Sequence, residues 1–485
     1  MYIDGEFRSA QEVIESVNPC TEERIAEFPK ATHKDLDDAV RAARKAFDEG
    51  EWPRLSIQER ASYLRRVASL IREEAFNLAR VETLDTGKTT KQTTFIDIPT
   101  AADVYDHFAG AAQEIKGETL NVPAPALSYT VKEAVGVIGA IIPWNYPFLM
   151  AAWKIVPAIM LGNTVILKPS VNASLSSLEL AKIYDRAGLP KGVVNVVTGA
   201  GKDIGMGLAG HPAVDMISFT GSTAAGREVM KAASVNIKKL SLELGGKSAN
   251  IVFDDCDLEA AVGGSLSAIF MNQGQMCVAG SRLLLQDSVY EKFIEIFIEK
   301  TKKLKIGNSQ DPDTDIGALI SKEQQKTVLD HIAIGKKEAK LLCGGKVPSG
   351  FEKGFYVEPT VFGGVKNSAR IAQEEIFGPV LSVIRFSDAE EAIKIANETV
   401  YGLAAMVWTK EIKKAQEVSK RLRCGTVWIN TYGGFYNEAP FGGYKQSGIG
   451  RELGKEGLLE FTETKNITVD LSPGGKSLVS NWFSV

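Results

Sequence analysis

Met216-Ile217-Ser218-Phe219-Thr220-Gly221-Ser222-Thr223-Ala224-Ala225-Gly226 joins a short apolar run to a helix-forming run through one glycine. The apolar run is too short for a stable helix and long enough for a buried strand. Ser222 stands where a helix N-cap belongs, its hydroxyl placed to accept a free backbone N–H. A helix N-terminus at that point offers N–H groups and a positive dipole end to a phosphate. Strand-to-helix turns with glycine are common, so plain turn chemistry explains the stretch about as well when it is read alone.

Outward from this join the same unit recurs. Residues 135–142, 164–167, 193–197 and 240–244 are further short apolar runs, and helical stretches such as 174–186 and 224–233 separate them. That alternation predicts a parallel, doubly wound sheet. A second alternating block covers 247–446, with a helix at 289–303 and strands near 249–253 and 427–429. Upstream, Ser56-Ile57-Gln58-Glu59 forms a capping box ahead of Leu64, Val67, Ala68 and Ile71 at helical spacing, so the first hundred residues read as helical. Residues 116–134 read as an extended hairpin and 466–471 as one more strand. The fold class expected is α/β, with two doubly wound domains and a small separate β-segment.

With 485 residues the chain is too long for one core, and about 150 residues per domain gives roughly three units. A net charge of −4 leaves no electrostatic footprint for nucleic acid or an anionic membrane. The densest basic run, Lys300, Lys302, Lys303 and Lys305, follows Glu295 and Glu299 on one helix and reads as a solvated face. Five cysteines, Cys20, Cys256, Cys277, Cys343 and Cys424, without a C-x-x-C pair argue against a disulfide framework or a zinc ribbon. No metal is expected, and a reducing, cytoplasmic setting fits best. Met1-Tyr2-Ile3-Asp4-Gly5-Glu6 has neither the basic nor the apolar region of a secretory signal. Residues 134–161 are apolar and long enough to mimic a membrane span, yet Pro143, Pro147, Pro157, Asn145 and Lys154 interrupt them. A buried strand, loop and helix is the better reading.

Reactive chemistry concentrates in two places. Cys277 lies in Asn272-Gln273-Gly274-Gln275-Met276-Cys277-Val278-Ala279-Gly280-Ser281-Arg282, and Glu243 in Leu242-Glu243-Leu244-Gly245-Gly246-Lys247. A buried cysteine is more often an inert hydrophobe, but these glycines and amides let backbone N–H groups approach a developing oxyanion. The four histidines, His33, His107, His211 and His331, all stand outside glycine-rich motifs, so the base has to be a carboxylate, and Glu243 fits. Gly87-Lys88-Thr89 resembles a P-loop end, but Glu82 stands where the first glycine is needed. Gly199-Ala200-Gly201-Lys202-Asp203-Ile204-Gly205 spaces its third glycine one residue too far for a dinucleotide fingerprint. Glu374-Glu375, taken alone, reads more often as a solvated helix end.

These motifs resemble those of the aldehyde dehydrogenase superfamily. The resemblance also takes in Pro143-Trp144-Asn145-Tyr146-Pro147, Lys168-Pro169-Ser170, Phe219-Thr220-Gly221-Ser222, Glu374-Glu375-Ile376-Phe377-Gly378-Pro379 and Pro440-Phe441-Gly442-Gly443-Tyr444-Lys445-Gln446-Ser447-Gly448, in the family's order along nearly the whole chain. It implies a dinucleotide-binding domain at 1–115 and 135–246, a catalytic domain at 247–446, and a bridging segment, 116–134 with 462–475, that joins subunits into a homodimer or homotetramer. It further implies oxidation of a small aldehyde by NAD(P), with Cys277 as nucleophile, Glu243 as water-activating base and Asn145 holding the oxyanion. Lys154 and Glu452 resemble a water-linked proton relay, although a structural salt bridge explains them as well. Cofactor contacts fall on Trp144, Lys168, Ser170, Val171, Phe219, Gly221, Ser222, Gly226, Leu244, Glu375 and Phe377, with Glu375 on the nicotinamide ribose.

Tyr146, Trp153, Met271, Phe435 and Phe441 fall where the family wraps its substrate. Part of this set resembles the aromatic box of betaine and amino-aldehyde dehydrogenases, but Met271 stands where plant members carry a further tryptophan. An apolar or aromatic aldehyde is the expected substrate, with betaine or an amino aldehyde the alternative. Members that pass the acyl group to coenzyme A lack the glutamate at 243, and a non-catalytic member has no need of Cys277, Glu243 and Asn145 together. NAD-preferring members carry a glutamate where this chain has Val171. NADP is therefore expected to serve at least comparably with NAD, unless valine merely packs against the adenosine.

Overall fold

The computed structural model describes residues 1–475. The tail 472–485, to which the sequence assigns no role, thus lies largely outside the described residues. The five apolar runs become strands Val137–Ile141, Thr164–Lys168, Val194–Val196, Met216–Thr220 and Lys239–Glu243, the parallel centre of an eight-stranded sheet. Val137–Ile141 pairs with Thr164–Lys168 on one side and with Met216–Thr220 on the other. Strand order therefore reverses there, and a crevice opens beyond the carboxyl ends of these two strands. Trp144-Asn145 follows the first strand and Gly221-Ser222 the second.

The sheet is closed at one edge by Gly448–Ile449, antiparallel to Lys239–Glu243, with Glu243 opposite Gly448. The other edge is Tyr2–Ile3 and then Glu6–Phe7. This corrects the helical reading of the first hundred residues, because a second hairpin, Val13–Val17 with Arg24–Pro29, follows before the first helix, His33–Asp48. Asp4-Gly5, at φ 54° and 75°, is the tight two-residue turn whose left-handed backbone matches strand twist. Downstream the helical reading holds: Ser56 and Glu59 cap each other reciprocally, and helix Ile57–Glu73 buries Leu64, Val67, Ala68 and Ile71.

The second block forms a seven-stranded sheet, parallel except for Lys340–Cys343 at one edge. A third, small sheet pairs Ala126–Ala134 with Thr119–Leu120 and with Thr462–Asp470, so the two extended segments meet. Residues 134–161 resolve into a buried strand, a loop and helix Pro147–Met160. Among the described residues no helix is long and apolar enough to cross a membrane. The lysine run is a solvated face, with Lys303 on Glu299 and Lys300 on Glu259.

Candidate active site

Helix Leu258–Phe270 delivers the chain to a turn in which Asn272, Gln273 and Gly274 are all left-handed, at φ 49°, 55° and 73°. Non-glycine residues avoid that region, so the turn needs outside support. Its own amides provide it. Gln273 Nε2 donates to the Gly87 carbonyl at 2.8 Å, and Asn272 Nδ2 to the carbonyls of Asn145 and Gln275 at 3.1 and 3.2 Å. A Cβ on Gly246 would stand 2.2 Å from the Cys277 carbonyl, so the glutamate and cysteine motifs pack backbone to backbone. Cys277 is half-buried, and its thiol is held well above the usual range by desolvation and by the carboxylates of Glu375 and Glu243.

Glu243 is the last residue of its strand and 3% exposed, and neither carboxylate oxygen has a hydrogen-bond partner among the described residues. Burial and the neighbouring Glu452 push its pKa well above the carboxylate range, against Lys154 and Arg451. Glu452 is ion-paired with Lys154, whose Nζ also reaches Ser218 Oγ at 3.1 Å; both partners are buried. Reciprocal backbone hydrogen bonds of 2.7 Å tie Glu452 to Phe441, so the buried pair is held to the backbone of an aromatic residue that lines the cavity. Asn145 is buried against the cysteine loop, its Nδ2 donating to the Gln275 carbonyl at 2.9 Å. One amide hydrogen remains for another acceptor.

A single cavity of about 450 Å³ takes in Cys277, Glu243, Asn145 and Glu452. It is also lined by Trp144, Gly221, Ser222, Leu244, Glu375 and Phe377, and by all five expected substrate residues, Tyr146, Trp153, Met271, Phe435 and Phe441. The Glu-Glu pair divides. Glu374 is solvated between Arg370 and His331, whereas Glu375, half-buried, accepts the Gly246 N–H at 3.0 Å and is pushed up to about 7 by desolvation. Lys154, Lys168, Ser170, Val171, Phe219 and Gly226 lie outside the lining. Phe219 packs under Gly221, and Gly226 leaves room for Leu244, so these two shape the turn. Lys168 is buried with its amine pushed down to about 8 by desolvation, next to Gly201 and Gly205 of the supposed fingerprint.

Sequence reading missed Tyr432, Met276, Gln324 and Thr327, which line the same cavity. Tyr432 precedes a glycine pair and carried a usable signal; Gln324 and Thr327 arrive on helix Lys322–Glu338 by tertiary packing, with none. The residues fit a dinucleotide. Helix Thr223–Ala233 starts at the cavity with Ser222 accepting the Ala225 N–H, the half-buried carboxylate of Glu375 lines the same cavity, and Trp144 and Phe377 meet edge to face at 5.2 Å.

Comparison with known proteins gives the same picture. The model of the aldehyde dehydrogenase family matches residues 7–467. Betaine aldehyde dehydrogenase of Bacillus subtilis (strain 168) is 46% identical, the match covering 100% of this chain and 99% of the relative. The crystal structure of betaine aldehyde dehydrogenase from Staphylococcus aureus in complex with NAD+ superposes with a TM-score of 0.97 at 42% identity, over 100% of this chain and 96% of that one. A mutant of indole-3-acetaldehyde dehydrogenase from P. syringae, in complex with NAD+ and IAA, gives 0.95 at 44% identity, over 96% of each chain. The chain belongs to the aldehyde dehydrogenase family, and is an oxidoreductase of aldehydes.

Proposed function

We propose that the chain oxidises an uncharged apolar or aromatic aldehyde to its carboxylic acid through a thioester on Cys277. The observation that carries this is the meeting of Cys277 with a buried, unpartnered Glu243 carboxylate in one cavity walled by aromatic rings. The Cys277 thiol gives up its proton to water as its sulfur attacks the carbonyl carbon, and the oxyanion accepts from Asn145 Nδ2 and the Cys277 N–H. A nicotinamide dinucleotide bound against Trp144, Ser222, Glu375 and Phe377 supplies the hydride acceptor. Glu243 then takes a proton from water, the resulting hydroxide attacks the thioester and breaks its C–S bond, and the carboxylate is released with Cys277 again a thiol. Glu452 and Lys154 offer that proton a buried path away from Glu243.

NAD+ in the related structures supports use of NAD. Lys168 with Val171 at its side supports NADP at least comparably, since no carboxylate stands there to repel a 2′-phosphate. A second reading, oxidation of betaine aldehyde, is favoured by Trp153, Phe435 and Phe441, whose rings contact one another at 5.5–6.2 Å, and by the names of the relatives. Betaine aldehyde, phenylacetaldehyde and hexanal, each assayed with both cofactors, separate the readings. The uncharged pair is expected to give the higher kcat/KM; a strong preference for betaine aldehyde selects the second reading, and no turnover of any of them points to a non-catalytic member.

A further inference from the structure

On the aromatic wall of the cavity stand two hydrogen-bond donors that the proposed chemistry does not use. Trp153 is buried and lines the cavity, yet its Nε1–H meets no acceptor among the described residues. Tyr432 lines the cavity too, and its hydroxyl donates to the thioether of Met276, with Sδ 3.5 Å away. A thioether is a weak acceptor, so this proton is open to a better one. Tyr146 differs, because its hydroxyl is held by Gln92 Nε2 at 2.9 Å, a partner outside the lining. One run of rings fixes both donors. Trp153 meets Phe435 at 6.2 Å, Phe435 meets Trp428 at 5.4 Å, and Trp428 meets Tyr432 at 5.5 Å. Within that run the Trp428 Nε1–H is satisfied, donating to the Gly434 carbonyl at 3.1 Å, which leaves the indole of Trp153 as the one without a partner.

A buried donor without an acceptor is costly, and a ligand that brings the acceptor removes that cost. An all-carbon chain leaves both donors as they are. We infer that Trp153 and Tyr432 are specificity-determining residues that select uncharged aldehydes carrying an acceptor oxygen in the chain, an ether or aryl ether, over those with a methylene in its place. This rests on the uncharged reading of the substrate proposed above and narrows it. An ether oxygen accepts without donating, which matches a wall whose idle groups are both donors. A carboxylate at the far end of the chain does not fit, because the lining contains no lysine or arginine and does contain Glu243, Glu375 and Glu452.

Hexanal, propoxyacetaldehyde and 3-ethoxypropanal are chains of equal length in which the third or the fourth carbon is kept or replaced by oxygen. An oxygen near the carbonyl also changes its reactivity, so the quantity to read is the change in each ether-to-hexanal ratio of kcat/KM between wild type and variant, in which reactivity cancels. Tyr432→Phe removes one donor and keeps the ring, and Trp153→Phe removes the other. Each is expected to lower the ratio for at least one ether by about fivefold, mainly through KM, because the bond is present in the bound substrate and the transition state alike. Tyr432→Phe remains as the test should Trp153→Phe not fold. Ratios unchanged in both variants, with equal losses for all three aldehydes, would overturn the inference and leave the two residues as wall. A fall in one variant alone upholds the selection and assigns it to that donor. A wild-type preference for betaine aldehyde over all three overturns the proposed substrate class instead, whereas a lowered ether ratio in the variants upholds the two donors in either case.

Discussion

Glu243 is buried without a hydrogen-bond partner and pressed by Glu452, a costly arrangement that suits a group held ready to take a proton. Glu243→Gln removes the proposed base and leaves the proposed nucleophile. One acyl group should form and then stall, giving a burst of NAD(P)H of about one per site with steady turnover down by roughly a hundredfold or more. Cys277→Ser should show neither burst nor turnover, and near-normal turnover there would refute the assignment. On the proposed reading, Val171 and Lys168 set the cofactor choice. Val171→Glu is expected to shift the kcat/KM ratio toward NAD by about tenfold or more, or about 1.4 kcal/mol; strict NAD dependence in wild type, or no shift, counts against it. Because burial lowers Lys168 to about 8, its amine is charged below that pH and neutral above. The preference for NADP over NAD should therefore fall as pH rises through about 8, and a ratio that stays flat removes Lys168 from the contact.

Elements show what the sequence discloses and what it withholds. The strand-to-helix join at Gly221-Ser222 is legible because cap, glycine and apolar run each point the same way, and the structure puts Ser222 at the N-cap. Asp4-Gly5 is equally strong turn chemistry, but two-residue strands beside it carry too little periodicity to outweigh the helices that follow. Local pattern also misses the support of the cysteine turn, which comes from Gly87, Asn145 and Ile320, all distant in sequence. Gly274 is the weak point of that turn: at φ 73°, a Cβ there would lie 2.2 Å from the Gly378 carbonyl. Gly274→Ala is expected to cost about 1–3 kcal/mol and to lower the burst amplitude along with turnover, because it displaces the Cys277 loop as a whole. Thermal unfolding and burst titration on one preparation check this; unchanged values in both would show that the loop relaxes freely.

Across the whole molecule, the cavity draws on strand ends of the eight-stranded sheet, on loops beside the strands of the seven-stranded one and on the returning segment that holds Phe441 and Glu452, which is why its membership cannot be read from any one stretch. Cys277, Glu243 and Asn145 are legible because glycine and amide motifs mark them, whereas Gly87-Lys88-Thr89 carries only a misleading P-loop likeness. The small sheet poses the remaining question at this scale. Leu127 and Val469 are directly opposite each other on neighbouring strands and are 42% and 43% exposed, with Leu120 and Leu471 exposed nearby. Apolar side chains exposed on a sheet of this kind fit a surface that another chain would cover. Leu127→Asp combined with Val469→Asp places two like charges across one pair and should split the assembly. Light scattering on a sizing column is expected to give a smaller particle for this variant than for wild type, with the Cys277 burst retained because the cavity lies elsewhere. A monomeric wild type, or an unchanged mass in the variant, would take subunit contact away from this sheet.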